Sequence, residues 1–265
     1  MTDPVTPPLG PSIGANPSFV DLLVASNPSA FPAPAPSASP LDPVRHGTTV
    51  LGLKYDGGIV MAGDRQATAG MDIADDRIEK VFAADDYSAI AISGSAGQAV
   101  EIVKLFQLEL EHYEKITGDR LSLEGKANRL AQMIRGNLPL AMQAGLIVVP
   151  LFGGFDEGRG QGRIFNYDAT GGRWEDEDFH ATGSGGRAAR SSLRKRWRPG
   201  MDLAGGLAVA VEALVDASRE DAATGGPDPS RAIYPTVVVV DASGARRVEE
   251  SRVAETVAAV LGGGA

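Results

Sequence analysis

The chain has 265 residues, 43% of them hydrophobic and 22% charged, enough for one well-buried domain with appendages but not for two full cores. Without cysteine it has neither disulfides nor a thiol nucleophile, and its three histidines are not spaced as zinc ligands, so we expect no metal and no other cofactor. The net charge of −9 argues against nucleic acid as a partner.

Residues 1–47 have the composition of a leader and not of a domain. They hold 11 of the 17 prolines and many small residues, which disfavours a packed core. The first basic side chain is Arg45, which does not fit a secretory signal, and no apolar run approaches the ~20 residues that span a bilayer. We therefore expect a cytoplasmic protein without a membrane partner. The apolar segment 18–24 is either a short amphipathic helix that docks on another subunit or a collapsed stretch.

Short β-branched and apolar runs begin where the leader ends. The runs 48–54 and 58–63 flank Tyr55-Asp56-Gly57 and predict a hairpin with a glycine-containing turn. A further strand pair is predicted over 77–82 and 87–92, with its turn at residues 84–86.

Helical periodicity follows this first set of strands. Apolar spacing predicts a helix from Ala96 to Ile116, and a second helix that begins at Ser122 and runs towards Ala144, where Pro139 predicts a kink or an early end. The remaining predicted elements are strands at 146–149 and 163–168, helices at 186–197 and 203–222, a strand at 236–240 and a helix at 253–261. This order predicts an α+β fold in which two sheets pack face to face with helices outside.

The tripeptide Gly47-Thr48-Thr49 stands at the junction of the leader and the first strand. If the chain is cut after Gly47, Thr48 carries both a hydroxyl nucleophile and a free α-amine, whose pKa of about 7.7–8.0 suits it to act as the base. The alternative is that the tripeptide simply opens a strand, because threonine favours strands.

Six segments together carry a family resemblance. In chain order they are Gly47-Thr48-Thr49, Gly63-Asp64-Arg65, Glu79-Lys80-Val81, Ser93-Gly94-Ser95-Ala96-Gly97, Thr182-Gly183-Ser184-Gly185 and the run from Arg219 to Gly225. With these segments in register, the chain from Thr48 to about Pro235 resembles a bacterial 20S proteasome β-subunit. The resemblance implies a propeptide over 1–47, removed by autocatalysis, and a catalytic domain over 48–265. It also implies the four-layer αββα sandwich of the N-terminal-nucleophile hydrolases, with two antiparallel sheets flanked by helices.

The resemblance assigns a threonine-type endopeptidase site. Thr48 is implied to be the nucleophile, with its own α-amine as the base, beside a buried Lys80 that Asp64 holds charged. The backbone N–H of Gly94 is implied to donate to the oxyanion. Supporting oxygens around the amine are implied for Ser184, Asp221 and Thr224, and the family commonly has serine at the last of these positions.

Substrate binding is also implied by the resemblance. The backbone of Thr68, Gly94 and Ala96 is expected to bind the peptide as an added strand. The side-chain pocket is implied to be lined by apolar residues, namely Ala67, Ile78, Ile92, Ala96 and Val100. We therefore expect cleavage after hydrophobic residues.

The resemblance further implies a closed chamber. Its parts are homo-heptameric β-rings stacked in pairs, proteasome α-subunit rings outside them, and an ATP-dependent unfoldase ring that feeds in unfolded proteins. Alternatives are a structural, non-catalytic β-subunit, an amidase of the same superfamily that acts on small molecules, and a simpler bacterial protease of the same fold. The intact residues Gly47, Thr48, Asp64 and Lys80 argue against the structural subunit.

Overall fold

A computed structural model describes residues 47–69 and 72–263 of the chain. The predicted segment 18–24 and most of the predicted propeptide lie outside the described residues. No helix in the described part is long and apolar enough to cross a membrane.

The described chain forms two five-stranded antiparallel sheets, a small hairpin and five helices. The strands are β1 (Thr49–Tyr55), β2 (Gly58–Gly63), β3 (Ala67–Ala69), β4 (Asp72–Asp75), β5 (Val81–Asp85), β6 (Ser88–Gly94), β7 (Val148–Asp156), β8 (Gln161–Tyr167), β9 (Arg173–Asp176), β10 (Phe179–Gly183), β11 (Thr236–Asp241) and β12 (Gly244–Arg247). The helices are α1 (Ala96–Thr117), α2 (Leu123–Ala144), α3 (Gly186–Arg196), α4 (Leu203–Glu220) and α5 (Glu250–Gly262), with a short 3-10 turn at Pro229–Arg231.

The two sheets pack face to face between layers of helices. The first sheet has the strand order β10-β1-β2-β11-β12 and the second has the order β5-β6-β7-β8-β9, while β3 and β4 form the hairpin. Buried residues such as Val50, Met61, Leu151 and Ile164 fill the space between the sheets. Helices α1 and α2 cover the second sheet, and α3, α4 and α5 cover the first. The predicted four-layer αββα sandwich is thereby confirmed.

Local capping explains where two of the predicted helices begin. Ser122 precedes α2, and its Oγ accepts a hydrogen bond from the N–H of Gly125 at 3.1 Å. Asp202 precedes α4 in the same way and accepts from the N–H of Gly205 at 2.8 Å. These side chains satisfy N–H groups that have no partner in the first turn of a helix.

Some predicted boundaries were wrong. The strand predicted from residue 77 begins only at Val81, because Ile78 instead donates its N–H to Arg65. The turn lies at residues 86–87 and not at 84–86, since the side chain of Asp85 accepts hydrogen bonds from the N–H of Tyr87 and from the Ser88 hydroxyl. Helix α2 runs to Ala144 as predicted, so the early end predicted as one alternative at the exposed Pro139 is wrong, and Gly145 in the left-handed conformation caps the helix.

We predict that Leu151→Ala lowers the free energy of unfolding by about 2–5 kcal/mol, because Leu151 is fully buried between the sheets and its truncation leaves a cavity. Urea unfolding of the full-length chain measures the change. Leu261→Ala is the control, since Leu261 is 42% exposed and its truncation is expected to change stability by less than about 0.5 kcal/mol. Equal losses in both variants would contradict the assignment of this core.

Candidate active site

Asp64 is the centre of the polar site. It follows β2 and is 1% exposed. Its Oδ1 accepts from Lys80 Nζ at 2.6 Å and from the N–H of Thr49 at 2.8 Å. Its Oδ2 accepts from the N–H of Gly225 at 2.9 Å and of Gln66 at 3.1 Å. Each carboxylate oxygen therefore has two donors, which makes burial of the charge tolerable.

Lys80 lies immediately before β5, at the edge of the second sheet. Its Nζ donates to Asp64 and also, at 2.5 Å, to the carbonyl oxygen of Gln66. Burial lowers the pKa of Lys80 from its ordinary value, and the charges of Asp64 and, more weakly, Asp221 oppose that shift. The structure thus brings Asp64 and Lys80 together as predicted, in an ion pair that is almost completely removed from water.

Thr48 is buried immediately before β1 and contacts Ser184, which lies two residues before α3. Its N–H donates to Ser184 Oγ at 3.3 Å, and the N–H of Ser184 donates to its carbonyl oxygen at 2.9 Å. The Thr48 hydroxyl donates to the carbonyl oxygen of Gly47 at 2.7 Å. The N–H of Gly47 in turn donates to Thr68 Oγ1 at 2.8 Å. The nucleophile predicted from the sequence therefore touches the peptide bond that was predicted to be cut.

Asp221 and Thr224 approach the site from the end of α4. The Thr224 hydroxyl donates to Asp221 Oδ2 at 2.6 Å, and its oxygen lies 2.6 Å from Thr49 Oγ1. The additional methyl of Thr224, relative to the serine common in the family, does not prevent either contact. Asp221 is also close enough for its charge to act on Lys80.

Gly94 ends β6 in a backbone conformation that favours glycine. Its φ is +104°, and a Cβ atom there would lie 2.1 Å from the carbonyl oxygen of Ile147. Ser95 then leads directly into α1. Gly94 therefore forms a turn between a strand and a helix, and the role of its N–H at the oxyanion stays a prediction.

The predicted substrate-binding residues are spread over four neighbouring segments. Ala67 and Thr68 lie on β3 and are buried, while Ile78 precedes β5 and is half-buried. Ile92 of β6 and Val100 of α1 pack in the core between the second sheet and its helices. The last of the set is Ala96 at the start of α1, which is half-buried. Their function as a side-chain pocket stays a prediction.

Four residues of the site were not predicted as site residues, namely Thr49, Gln66, Gly185 and Gly225. Gln66 and Gly225 contribute backbone groups to Asp64 and Lys80, and Gly185 donates its N–H to Thr49 Oγ1 at 2.9 Å. Gly185, Gly225 and Thr49 stand inside the segments that carried the family resemblance, next to predicted residues. Proximity to those residues was the only signal in the sequence that could have found them.

Comparison with known proteins gives the class of this fold and site. A family model described as proteasome subunit matches residues 44–228. A proteasome subunit beta of Acidimicrobium ferrooxidans is 58% identical over 212 residues, covering 80% of this chain and 77% of the relative. Proteins of the same name from Jonesia denitrificans and Acidothermus cellulolyticus are each 52% identical, over 239 residues (89% of this chain, 79% of the relative) and 250 residues (92% and 86%). The chain therefore belongs to the proteasome subunit family. Its type within that family is the bacterial β-subunit.

We predict that Asp64→Asn lowers the free energy of unfolding by about 3–5 kcal/mol, because it leaves the buried Lys80 without its counter-charge. The pKa of Lys80 should fall further, since less then opposes the effect of burial. Urea unfolding of the full-length chain measures the loss. The control is Asp76→Asn, which breaks a partly exposed pair with Arg231 and is expected to cost less than about 1 kcal/mol. A loss at Asp64 no larger than the loss at Asp76 would overturn this account.

Proposed function

We propose that the chain is the catalytic β-subunit of a bacterial 20S proteasome, an N-terminal threonine endopeptidase made as an inactive precursor. The observation that carries this proposal is the position of the Thr48 hydroxyl, 2.7 Å from the carbonyl oxygen of Gly47. The next residue, Thr49, donates its N–H to Asp64, which is paired with Lys80. A threonine that only opened a strand would need neither arrangement.

Maturation is proposed to use the same nucleophile. Thr48 Oγ attacks the carbonyl carbon of Gly47, the C–N bond breaks, and the hydroxyl proton ends on the nitrogen of Thr48. Water then hydrolyses the ester and releases residues 1–47. Close packing supports glycine at this position, because a Cβ on Gly47 would lie 2.1 Å from the Cβ and 2.5 Å from the carbonyl oxygen of Ala223.

Hydrolysis of substrates follows from the freed amine. The amine takes the proton of the Thr48 hydroxyl as Oγ attacks the substrate carbonyl, and it passes that proton to the leaving amine. The charge of Lys80 favours the reacting oxygen, and the N–H of Gly94 is proposed to stabilise the oxyanion. Water then attacks the acyl-enzyme, with the Thr48 amine again acting as the base. Ser184, Asp221 and Thr224 are proposed to orient that amine.

A site of this kind needs a closed compartment. We propose homo-heptameric β-rings stacked in pairs, capped by α-subunit rings and served by an ATP-dependent unfoldase in the cytoplasm. The relatives named as proteasome subunit beta support the β-ring, because they match most of this chain at 52–58% identity. Unfolded proteins are then the substrates, bound as an added strand along Thr68, Gly94 and Ala96.

A structural β-subunit without catalysis is the second candidate. It would need no buried ion pair beside Thr48 and no close approach of Gly47 to Ala223. The catalytic subunit is expected to lose residues 1–47, whereas the structural subunit is expected to keep them, and this difference provides the first test.

Co-expression with the α-subunit is expected to give a chain that starts at Thr48 and has 265 − 47 = 218 residues. Thr48→Ala should assemble, keep residues 1–47 and show no peptidase activity, because it lacks the oxygen that attacks Gly47. Intact mass, N-terminal sequencing and peptide hydrolysis measure these outcomes. The precursor expressed alone should stay unprocessed, since assembly is expected to brace the segment around Asp221.

The outcome that would overturn the proposal is an assembled wild-type particle that keeps its leader. Equal processing of the wild type and Thr48→Ala would also contradict it, and would show that another protease makes the cut.

The mature particle is expected to cleave after hydrophobic residues. The predicted pocket residues Ala67, Ile78, Ile92, Ala96 and Val100 are all apolar, so a charged side chain would lose its hydration there without gaining a partner. A panel of fluorogenic peptides that differ only before the scissile bond measures kcat/KM for each residue. Higher values for acidic or basic residues than for leucine or tyrosine would contradict this pocket assignment.

A further inference from the structure

Thr49, the residue after the nucleophile, makes a set of contacts that no role considered so far requires. Its side chain is fully buried, and its Oγ1 lies 2.9 Å from the N–H of Gly185 and 2.6 Å from Thr224 Oγ1. The hydroxyl of Thr224 in turn donates to Asp221 Oδ2 at 2.6 Å. Three hydroxyl or carboxylate groups and one amide thus form a continuous chain of hydrogen bonds.

The chemistry of these groups fixes the direction of each hydrogen bond. An aspartate carboxylate only accepts, so the single hydroxyl proton of Thr224 is committed to Asp221. The proton in the contact between the two threonines must then come from Thr49. Thr49 Oγ1 in turn accepts from the N–H of Gly185. Every donor among these four hydrogen-bonded groups is used, and each donated proton points in the direction from Gly185 towards Asp221.

The backbone of Thr49 joins this chain to the ion pair. Its N–H donates to Asp64 Oδ1 at 2.8 Å, and its carbonyl oxygen accepts from the N–H of Asp64 at 3.1 Å. Asp64 holds Lys80 with the same oxygen. One residue therefore connects the pair of Asp64 and Lys80, through its backbone, with Thr224 and Asp221, through its side chain.

The groups of this hydrogen-bond chain are closely packed and removed from water. A Cβ on Gly185 would lie 2.5 Å from Thr224 Oγ1 and 2.6 Å from Thr49 Oγ1. Thr224 is 4% exposed, so water is not a ready substitute for either hydroxyl. Loss of one hydroxyl would leave a buried donor or acceptor unpaired, and the remaining groups would have to move.

We propose that Thr49 is a positioning residue for the reaction of Thr48. Its hydroxyl holds Asp221 and Thr224 in register with Asp64 and Lys80, and so aligns the groups on both sides of the nucleophile. The inference rests on the proposed threonine peptidase and extends it to a side chain that does not touch the substrate.

The test compares Thr49→Val, which removes the hydroxyl and keeps the shape, with Thr49→Ser, which keeps the hydroxyl. Both are made in the particle co-expressed with the α-subunit. Intact mass gives the fraction of chains that start at Thr48, and hydrolysis of a fluorogenic peptide ending in leucine gives kcat per processed chain and KM. We expect kcat to fall about 10- to 100-fold in Thr49→Val, since small misplacements of reacting groups cost that much. KM should change less than about twofold, and Thr49→Ser should recover most of kcat.

Thr236→Val is the matched control. Thr236 is a buried threonine of the same sheet, and its hydroxyl has no hydrogen-bond partner within the part of the chain that the structure describes. This variant should keep the kcat of the wild type. A Thr49→Val particle that keeps wild-type kcat per processed chain would overturn the inference, even if its melting temperature or yield fell, because that result means a role in folding alone.

Thr224→Val and Thr224→Ser provide a second pair if Thr49→Val does not assemble. Thr224→Val breaks the same chain one residue further on, and it should lower kcat where Thr224→Ser does not. Equal kcat in this pair would overturn the inference. A wild-type particle that does not process or hydrolyse peptides would instead reject the proposed function, and the inference with it, whereas an active wild type with unchanged variants would reject the inference alone.

Discussion

The buried ion pair of Asp64 and Lys80 is the constraint on which the rest of this structure depends. Taking two charges out of water costs several kcal/mol for each ion, and their attraction repays this only when the remaining donors and acceptors are also satisfied. Asp64 follows β2 in the first sheet and Lys80 precedes β5 in the second, so the pair bridges the two sheets. The other donors to Asp64 are the N–H of Thr49 in β1, the N–H of Gly225 after α4 and the N–H of Gln66, two residues after Asp64. The fold must therefore bring four distant segments to one point before the pair is tolerable.

Close backbone approach is the second requirement of this site. Gly47 lies against Ala223, Gly94 against Ile147, and Gly185 against two threonine hydroxyls, each at distances that exclude a Cβ. Glycine is therefore required at these positions by contacts between segments and not only by local turns. The same contacts fix the Thr48 peptide bond relative to α3 and the end of α4. A site assembled in this way has little freedom to adjust, which suits a reaction that depends on orientation.

The long elements could be predicted from the sequence because their periodicity is strong. Helix α1 and strands β1, β2 and β11 begin and end within a few residues of their predicted bounds. The missed strands β3, β4, β9, β10 and β12 have three to five residues each, too few for a periodic pattern to appear. In the site, Asp64 and Lys80 could be paired from the family register. The role of the Thr49 hydroxyl could not, since its partners lie 136 and 175 residues away in the chain.

The uncut chain already contains almost all of the machinery that the proposed reaction needs. Asp64 and Lys80 are paired, Asp221 and Thr224 are hydrogen-bonded, and the Thr48 hydroxyl is against the bond to be cut. What the uncut chain lacks is the proposed base, because an amide nitrogen cannot take a proton at neutral pH while a free α-amine with a pKa near 8 can. Under the proposed function, removal of the leader therefore changes the chemistry of one atom, the nitrogen of Thr48, which lies 3.3 Å from Ser184 Oγ. Under this proposal the side chains that surround Thr48 are already in contact with their partners before the leader is removed, and the cut supplies the base that was missing.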